Sequence, residues 1–268
     1  MAKTYSYQNI IDAFKKIGVT KGKTVLVKSD LRFSGPFEKP NKKSTLESYF
    51  NALSEVVSLG EGTIVVPTAS HKLINTAIPF DLKNTPSQLG VLNEYIRLKD
   101  ESVRSFHPFD SYTAIGKNAT PICEDVSKHA YGLETPKSRL IDSDAMCVTI
   151  GLQPRFCSSS PHHIEMLMGV PYRYTKEYIH PVMRNNKITF EPFYRFVWYR
   201  DCQLKRNKNL KIFNHFSESG HTIKKAELGR GHVYSFSMLD FYKTTIKLFK
   251  KDLYAWLDEA PESKPYQE

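Results

Sequence analysis

Apolar and polar positions along the chain alternate between helical and strand patterns, as they do in α/β proteins. Apolar residues at helical spacing run from position 10 to position 17, and Gly18 is placed to end that helix. Three short runs of β-branched and other apolar residues predict buried strands at 24–27, 63–66 and 145–150. The pattern as a whole therefore predicts an α/β fold.

Three further helices are indicated by the signals at their ends. The Ser-Thr-Leu-Glu sequence at 44–47 matches a capping box, which opens an apolar helix. Residues 89–98 carry a second apolar helical pattern. Ser160 and Pro161 begin a helix that runs to about position 168, since proline is well tolerated in a first turn.

The composition is that of a folded protein, with 40% hydrophobic and 25% charged residues, and this excludes intrinsic disorder. Aromatic and charged residues mix at 187–200, which indicates strands. No repeat or linker divides the chain, and we expect residues 1–268 to form one domain. No apolar run approaches the ~18 residues of a membrane span, and the start lacks a signal-peptide core. Four cysteines without CxxC spacing suit a reduced, cytoplasmic, soluble protein.

The chain is basic, with 38 Lys and Arg against 28 Asp and Glu and a formal net charge of +10. Such a balance indicates an anionic partner. A nucleic-acid-binding protein is one alternative, but the basic residues are scattered and no zinc-finger, helix-turn-helix or RNP signature is present. We therefore expect neither a nucleic acid nor a membrane as partner.

The segment with the richest chemistry is Ser-Ser-Ser-Pro-His-His-Ile-Glu at 158–165. If a helix begins near Pro161, His162 and Glu165 are three residues apart and share a face. A carboxylate beside an imidazole fixes the tautomer and stabilises the imidazolium, as a general base requires. His163 points about 100° away on a helix, and we expect it to pack. The plain alternative is a histidine at a helix start paired with a surface glutamate.

Two other kinds of site were weighed for this segment. A metal could bind to His162, His163 and Glu165, but these positions do not converge on one helix face and no third ligand cluster is evident. We therefore expect no metal. Cys157 could be a nucleophile near His162, although free cysteines are more often inert packing.

Two more segments place polar residues where an α/β sheet binds ligands. Arg-Ser-Phe-His-Pro-Phe-Asp-Ser at 104–111 is a polar turn before a strand pattern, and residues 25–35 lead from a strand end to a glycine. Lys42 and Lys43 precede the helix predicted at 44, where a helix start beside two lysines offers a phosphate site. The alternatives are an ordinary polar turn and a basic surface loop.

Taken together, these segments resemble the aminoglycoside 3-N-acetyltransferase family, which is distinct from the GNAT acetyltransferases. The resemblance extends over nearly the whole chain. The motifs of the family are matched in order by Val-Lys-Ser-Asp-Leu at 27–31 with Gly35, Gly-Thr-x-x-x-Pro-Thr at 62–68, Gly-x-Leu-x-Glu at 90–94, Arg-Ser-x-His-Pro-x-x-Ser at 104–111, a His…Gly…Thr-Pro stretch at 129–136, and Ser-x-x-His-x-x-Glu at 159–165.

The resemblance implies a three-layer α/β/α sandwich around a mixed, mostly central β-sheet. It implies acyl transfer from an acyl-CoA, expected to be acetyl-CoA, to an amine on a sugar. Because a thioester is already activated, the amine can attack it directly, without a covalent intermediate on the enzyme. His162 would be the general base, and Glu165 would orient it or hold the incoming amine.

The resemblance also assigns contacts to the two substrates, to which we add two lysines of our own as contacts to the CoA phosphates. The residues expected to contact CoA are Ser29, Gly35, Lys42, Lys43, His107 and Ser111. The residues expected to contact the acceptor are Thr68, Asp110 and Ser159. His107 and Ser111 would lie beside the thioester, and Ser29 and Gly35 along the pantetheine arm.

The nature of the acceptor follows from charge. Aminoglycosides are polycations that favour acidic walls, whereas this chain is basic. We therefore favour a nucleotide-linked or glycan-precursor amino sugar, with aminoglycoside resistance as the alternative. The family histidine of the first motif is Lys28 here, so an inactive CoA-binding protein is a further alternative. The acyl group stays open, and a homodimer is one candidate assembly.

Overall fold

Strands and helices alternate along the chain in the computed structural model, which describes residues 4–39, 41–156 and 159–264. The strands are β1 (Thr24–Ser29), β2 (Thr63–Pro67), β3 (Val103–Arg104), β4 (Tyr112–Gly116), β5 (Met146–Ile150), β6 (Arg173–Arg184), β7 (Lys187–Trp198), β8 (Lys224–Leu228) and β9 (Gly231–Ser237). The helices are α1 (Tyr7–Lys16), α2 (Lys42–Val57), α3 (Val91–Arg97), α4 (Ala119–Cys123), α5 (Pro136–Asp142), α6 (Ser159–Leu167), α7 (Leu210–Glu218) and α8 (Met238–Lys251).

A seven-stranded mixed sheet forms the centre of the fold, in the order β3-β4-β2-β1-β5-β9-β8. The central strand β1 pairs in parallel with β2 and with β5. The outer strands are antiparallel to their neighbours, and Pro67 at the end of β2 lies opposite Tyr112 at the start of β4. The carboxyl ends of the three parallel strands therefore meet at one edge, where α/β sheets bind ligands.

Helices cover both faces of the sheet because successive strand residues point to opposite sides. Val25 and Val27 pack with α1 and α2 in one buried cluster. Leu26 and Cys147 point the other way and pack with the buried side chains of α5, α7 and α8. The expectation of a three-layer α/β/α sandwich around a mixed central sheet is confirmed.

Strands β6 and β7 form a separate two-stranded ribbon that closes at Asn185 and Asn186, both with positive φ. One edge of the ribbon is anchored by Phe80, whose N–H donates to the Pro181 carbonyl at 2.9 Å. The other edge is anchored by Ala130, whose N–H donates to the Tyr194 carbonyl at 2.9 Å. The ribbon is thereby held against the same edge of the sheet as the strand ends.

The three strands predicted at 24–27, 63–66 and 145–150 are present, as are the helices predicted from position 10, at 89–98 and from Ser160. The start of α2 was predicted two residues too late. Asn41 is the residue that caps it, because its Oδ1 accepts from the Lys43 N–H at 2.8 Å. Lys42 and Lys43 therefore lie within the first turn. None of the helices described is long and apolar enough to cross a membrane.

Candidate active site

A cavity of about 710 Å³ opens at the sheet edge where the parallel strands end. Its walls come from segments that follow or precede those strands, together with side chains from α6 and from the ribbon. The lining residues are Lys28, Ser29, Asp30, Leu31, Arg32, Pro67, Ala69, His71, Leu89, Gly90, Val91, Asn93, Asp110, Ser111, Tyr112, Tyr131, Leu152, Phe156, His162 and Arg195. The topology therefore brings the first, third and richest sequence segments to one place.

His162 and Glu165 lie on one face of α6, as the sequence predicts. The Nδ1 atom of His162 is 2.5 Å from Oε2 of Glu165. The imidazole lies edge-on to the ring of Trp256, with centroids 5.1 Å apart, and reaches the cavity. The side chain of His162 is 16% exposed and that of Glu165 is fully buried. The pair is thus a buried carboxylate that holds a cavity-facing imidazole.

Two further residues hold Glu165 in place. The Tyr172 hydroxyl donates to its Oε1 atom at 2.7 Å. The Nε atom of Arg173 lies 3.2 Å from the same oxygen, in an ion pair whose arginine side chain is 3% exposed. Both carboxylate oxygens are therefore engaged, which is what a buried carboxylate requires to remain ionised.

The tautomer of His162 follows from the hydrogen-bond chemistry around Nδ1. Arg173 Nη2 also lies 3.1 Å from this atom, but a guanidinium only donates and a carboxylate only accepts. The shorter contact with Glu165 assigns the proton to Nδ1, which leaves the lone pair on Nε2. Within the described part of the chain, no hydrogen bond involves Nε2.

The protonation of the pair suits a base. Burial lowers the pKa of His162, the Glu165 carboxylate opposes that effect, and Arg173 and Lys28 reinforce it. Burial alone would raise the pKa of Glu165, but His162 and Arg173 hold it below its ordinary value. At neutral pH the site therefore holds a neutral imidazole beside an ionised carboxylate, which is the state in which a histidine can accept a proton.

Asp110 forms a second polar cluster in the same cavity. Its Oδ2 atom accepts from Arg195 Nε at 2.6 Å, and its Oδ1 atom lies 3.1 Å from Nε2 of His71. Burial would raise the pKa of Asp110, but Arg195 and His71 hold it well below its usual range. The carboxylate is therefore ionised and already matched by a guanidinium.

His107 lies behind the cavity wall and is not a lining residue. Its side chain is 3% exposed, and its Nδ1 atom accepts from the N–H groups of Phe109 and Asp110 at 3.3 and 3.1 Å. Burial lowers the pKa of His107 to about 4, so the ring is neutral. Its visible role is to shape the turn that presents Asp110 and Ser111.

Ser111 lines the cavity, but its hydroxyl is engaged by protein groups. The Oγ atom donates to the Thr68 carbonyl at 2.9 Å and accepts from Arg104 Nε at 3.0 Å. Thr68 stands behind it, with its own hydroxyl 3.0 Å from that of Thr113. Thr68 and Ser111 therefore fix the wall that joins β2 to β4.

The other residues assigned from the sequence are dispersed. Ser29 lines the cavity at the end of β1. Gly35 faces the side chain of Arg230, and the exposed Lys42 and Lys43 are outside the lining. Ser159 is the first residue of α6. Its side chain and Cys157 lie outside the described part of the chain.

His163 packs, as expected, with its Nδ1 atom accepting from the Gly132 N–H at 3.2 Å. Burial lowers its pKa to about 4. Among the residues that the structure describes, no group of three or more His, Cys, Asp or Glu side chains could hold a metal ion.

A sequence model of the family described as aminoglycoside 3-N-acetyltransferase matches residues 26–250, which is most of the chain. The chain belongs to this family. The family and the acyltransferase class predicted from the motifs are thereby confirmed.

Relatives of the aminoglycoside 3-N-acetyltransferase family resemble the chain over most of its length. The SPbeta prophage-derived aminoglycoside N(3')-acetyltransferase-like protein YokD of Bacillus subtilis (strain 168) is 23% identical over 255 residues, which cover 87% of this chain and 88% of YokD. The crystal structure of aminoglycoside acetyltransferase AAC(3)-IVa with gentamicin has a TM-score of 0.79 at 20% identity, covering 97% and 93% of the two chains. AAC-IIIb in a binary complex with CoASH has a TM-score of 0.78 at 17% identity, covering 96% and 100%.

Sequence reasoning missed several residues of the site because they come from distant parts of the chain. Tyr172 and Arg173 follow α6 and carry no spacing that relates them to Glu165. His71 and Arg195 reach Asp110 from 39 and 85 positions away. One signal was available: a glutamate predicted to be functional and buried requires a cationic partner, and that requirement directs a search to nearby arginines.

Proposed function

We propose that the chain catalyses acetyl transfer from acetyl-CoA to an amino group of an aminoglycoside. The observation that carries the proposal is the neutral imidazole of His162, which presents an unprotonated Nε2 at the cavity while Glu165 holds Nδ1. Membership of the aminoglycoside 3-N-acetyltransferase family supports the same reaction. The fold shared with AAC(3)-IVa, crystallised with gentamicin, and with AAC-IIIb, crystallised with CoASH, agrees with it.

The proposed chemistry is a direct transfer. Acetyl-CoA supplies a carbonyl carbon activated as a thioester. The lone pair of the acceptor amine forms the new C–N bond, the C–S bond breaks, and CoA leaves as its thiolate. His162 Nε2 takes the proton that the amine loses, and the carboxylate of Glu165 stabilises the imidazolium that results. The proton passes from His162 to the thiolate or to solvent, which restores the base for the next turnover.

We also propose that residues 1–268 act as one acyltransferase domain and that CoA lies along the β1 side of the cavity. Ser29 and Ser111 line the cavity and stay our candidates for contacts near the thioester. His107 would act there through the turn that it shapes. Gly35, Lys42 and Lys43 lie outside the lining, so they could contact only the nucleotide end of CoA.

The acceptor contacts remain proposals of the same kind. Asp110 lines the cavity and is the best placed of the three, whereas Thr68 is buried behind Ser111. Ser159 begins α6, three residues before the proposed base. We propose that an acceptor amine would approach between α6 and the turn that carries Asp110.

The charges of the cavity favour a second candidate acceptor. The two lining aspartates are each matched by an arginine: Asp30 by Arg32 at 2.5 Å, and Asp110 by Arg195 at 2.6 Å. With Lys28 included and the histidines neutral, the lining carries one net positive charge. Such walls suit an acceptor with few cationic groups better than a polycation. A nucleotide-linked or glycan-precursor amino sugar is therefore the second candidate.

Thiol release from acetyl-CoA, followed with a thiol reagent, distinguishes the two acceptors. Turnover with gentamicin or kanamycin supports the first proposal. Turnover with a nucleotide-linked amino sugar alone replaces it with the second. If neither acceptor is acetylated and acetyl-CoA does not raise the thermal unfolding temperature, both proposals are wrong.

His162→Ala tests the assignment of the base. We expect turnover to fall about 10²–10⁴-fold, the usual contribution of a general base, while acetyl-CoA still stabilises the protein. His221→Gln is the matched control, because His221 stacks on Phe216 away from the cavity. Unchanged turnover in His162→Ala would reject the assignment.

A further inference from the structure

Arg173 occupies a position that links both members of the catalytic pair. Its Nε lies 3.2 Å from Glu165 Oε1, and its Nη2 lies 3.1 Å from His162 Nδ1. The guanidinium carbon lies 4.7 Å from the ring centre of Trp256 and 5.4 Å from that of Trp198. A cation fixed by two indole rings thus faces the carboxylate and the imidazole together.

The groups near His162 determine how it can titrate. Glu165 comes from the same helix, Arg173 from β6, Lys28 from β1 and Tyr131 from the loop after α4. Tyr172 reaches the imidazole only through Glu165 and stays a neutral donor, since burial raises its pKa. Glu165 is thus the only anion that directly contacts the ring among the described residues, and Arg173 is the cation in direct contact.

Counting charges in this buried group shows what Arg173 does. With the arginine present, a neutral His162 gives Arg173 and Glu165 a net charge of zero, and protonation would leave one unbalanced positive charge. Without the arginine, a neutral His162 leaves Glu165 unbalanced, and one added proton restores neutrality. A buried site favours the neutral state, so removing Arg173 should make the pair bind a proton at higher pH, whichever member holds it.

We propose that Arg173 is a positioning residue of this acyltransferase, whose guanidinium keeps Glu165 as the carboxylate and His162 as the unprotonated base. The role rests on the proposed function, in which His162 accepts a proton from the acceptor amine. Arg173 itself touches neither substrate in this mechanism. It acts through the two residues that it contacts.

Histidine titration of the full chain by NMR tests the proposal without requiring turnover. The ¹³Cε1 signal of His162 is identified by its loss in His162→Gln and followed against pH. We expect Arg173→Met to raise the midpoint by about 1–3 pH units, the usual effect of a neighbouring charge. Arg173→Lys keeps the cation and should restore a midpoint near that of the wild type.

Arg206→Met is the matched control. Arg206 stacks on the same two rings, with its guanidinium carbon 5.4 Å from Trp198 and 5.7 Å from Trp256, and it has no contact with His162 or Glu165. We expect this variant to leave the midpoint unchanged. A shift as large as that of Arg173→Met would show that the aromatic stack, rather than the cation at the pair, sets the titration, and would overturn the proposal.

The pH profile of acetyl transfer provides the second readout. Because the acidic limb of kcat/KM reports the base of the free enzyme, Arg173→Met should move it upward with the NMR midpoint. An unmoved midpoint in folded Arg173→Met overturns the proposal. Should that variant not fold, a midpoint in Arg173→Lys one pH unit or more above the wild type overturns it instead. A moved midpoint without any acetyl transfer would support the role of Arg173 while rejecting the proposed function.

Discussion

The buried neutral His107 predicts a specific sensitivity of the fold to acid. Burial lowers its pKa to about 4, below the ordinary value of about 6.5. The unfolded chain therefore binds more protons than the folded chain between these values. The stability is fully present above about pH 6.5 and is lost as the pH falls toward 4. Each unit of difference in pKa corresponds to about 1.4 kcal/mol, so the loss attributable to His107 is about 3 kcal/mol by pH 4.

His107→Asn isolates this contribution, because Oδ1 of asparagine takes the place of Nδ1 and can accept from the same two N–H groups but does not titrate. The free energy of unfolding in urea is measured at pH 7 and pH 4. We expect it to fall by about 3 kcal/mol less in the variant than in the wild type. His221→Gln should retain the wild-type dependence. A fall as steep in His107→Asn as in the wild type would refute the reasoning.

Two other substitutions test how the site is held. Glu165→Gln leaves Arg173 buried without its anion and should lower the free energy of unfolding in guanidinium by about 3–5 kcal/mol, whereas Glu259→Gln in an exposed ion pair should change it little; equal small losses would contradict the importance of the buried pair. Gly151→Ala places a Cβ against the backbone after β1 at a positive φ and should lower the Tm by more than Gly220→Ala, which has positive φ but open space around it; equal losses would show that backbone strain alone is responsible.

The central strands were predictable because their signals are local. The β-branched run at 63–66 is bounded by Gly62 and Pro67, and each of these residues limits where a strand can extend. The start of α2 was misplaced because Asn41 and Ser44 are both good capping residues and the sequence does not show which side chain accepts from the helix. Only the backbone conformation at Asn41 decides between them.

The candidate site was predictable to the same degree. His162 and Glu165 are three residues apart on one helix, so their contact depends on helical geometry alone. The contact of Arg173 with Glu165 depends instead on how the ribbon docks on α6, which no local pattern encodes. His107 shows a third case: its motif places it near the site, but whether the ring faces the cavity or supports the wall depends on the packing of Phe193 and Phe109 around it.

The β6–β7 ribbon has a consequence for how chain length can vary in this family. Its base carries Arg173 and Arg195, one for each polar cluster of the cavity. Side chains alternate between the two sides of a strand, so inserting or deleting a single residue near either arginine would turn that arginine away from its carboxylate. Beyond the anchors at Pro181 and Tyr194, the turn at 185–186 is free of this constraint. We therefore expect natural insertions to accumulate at the tip, in even numbers shared by both strands.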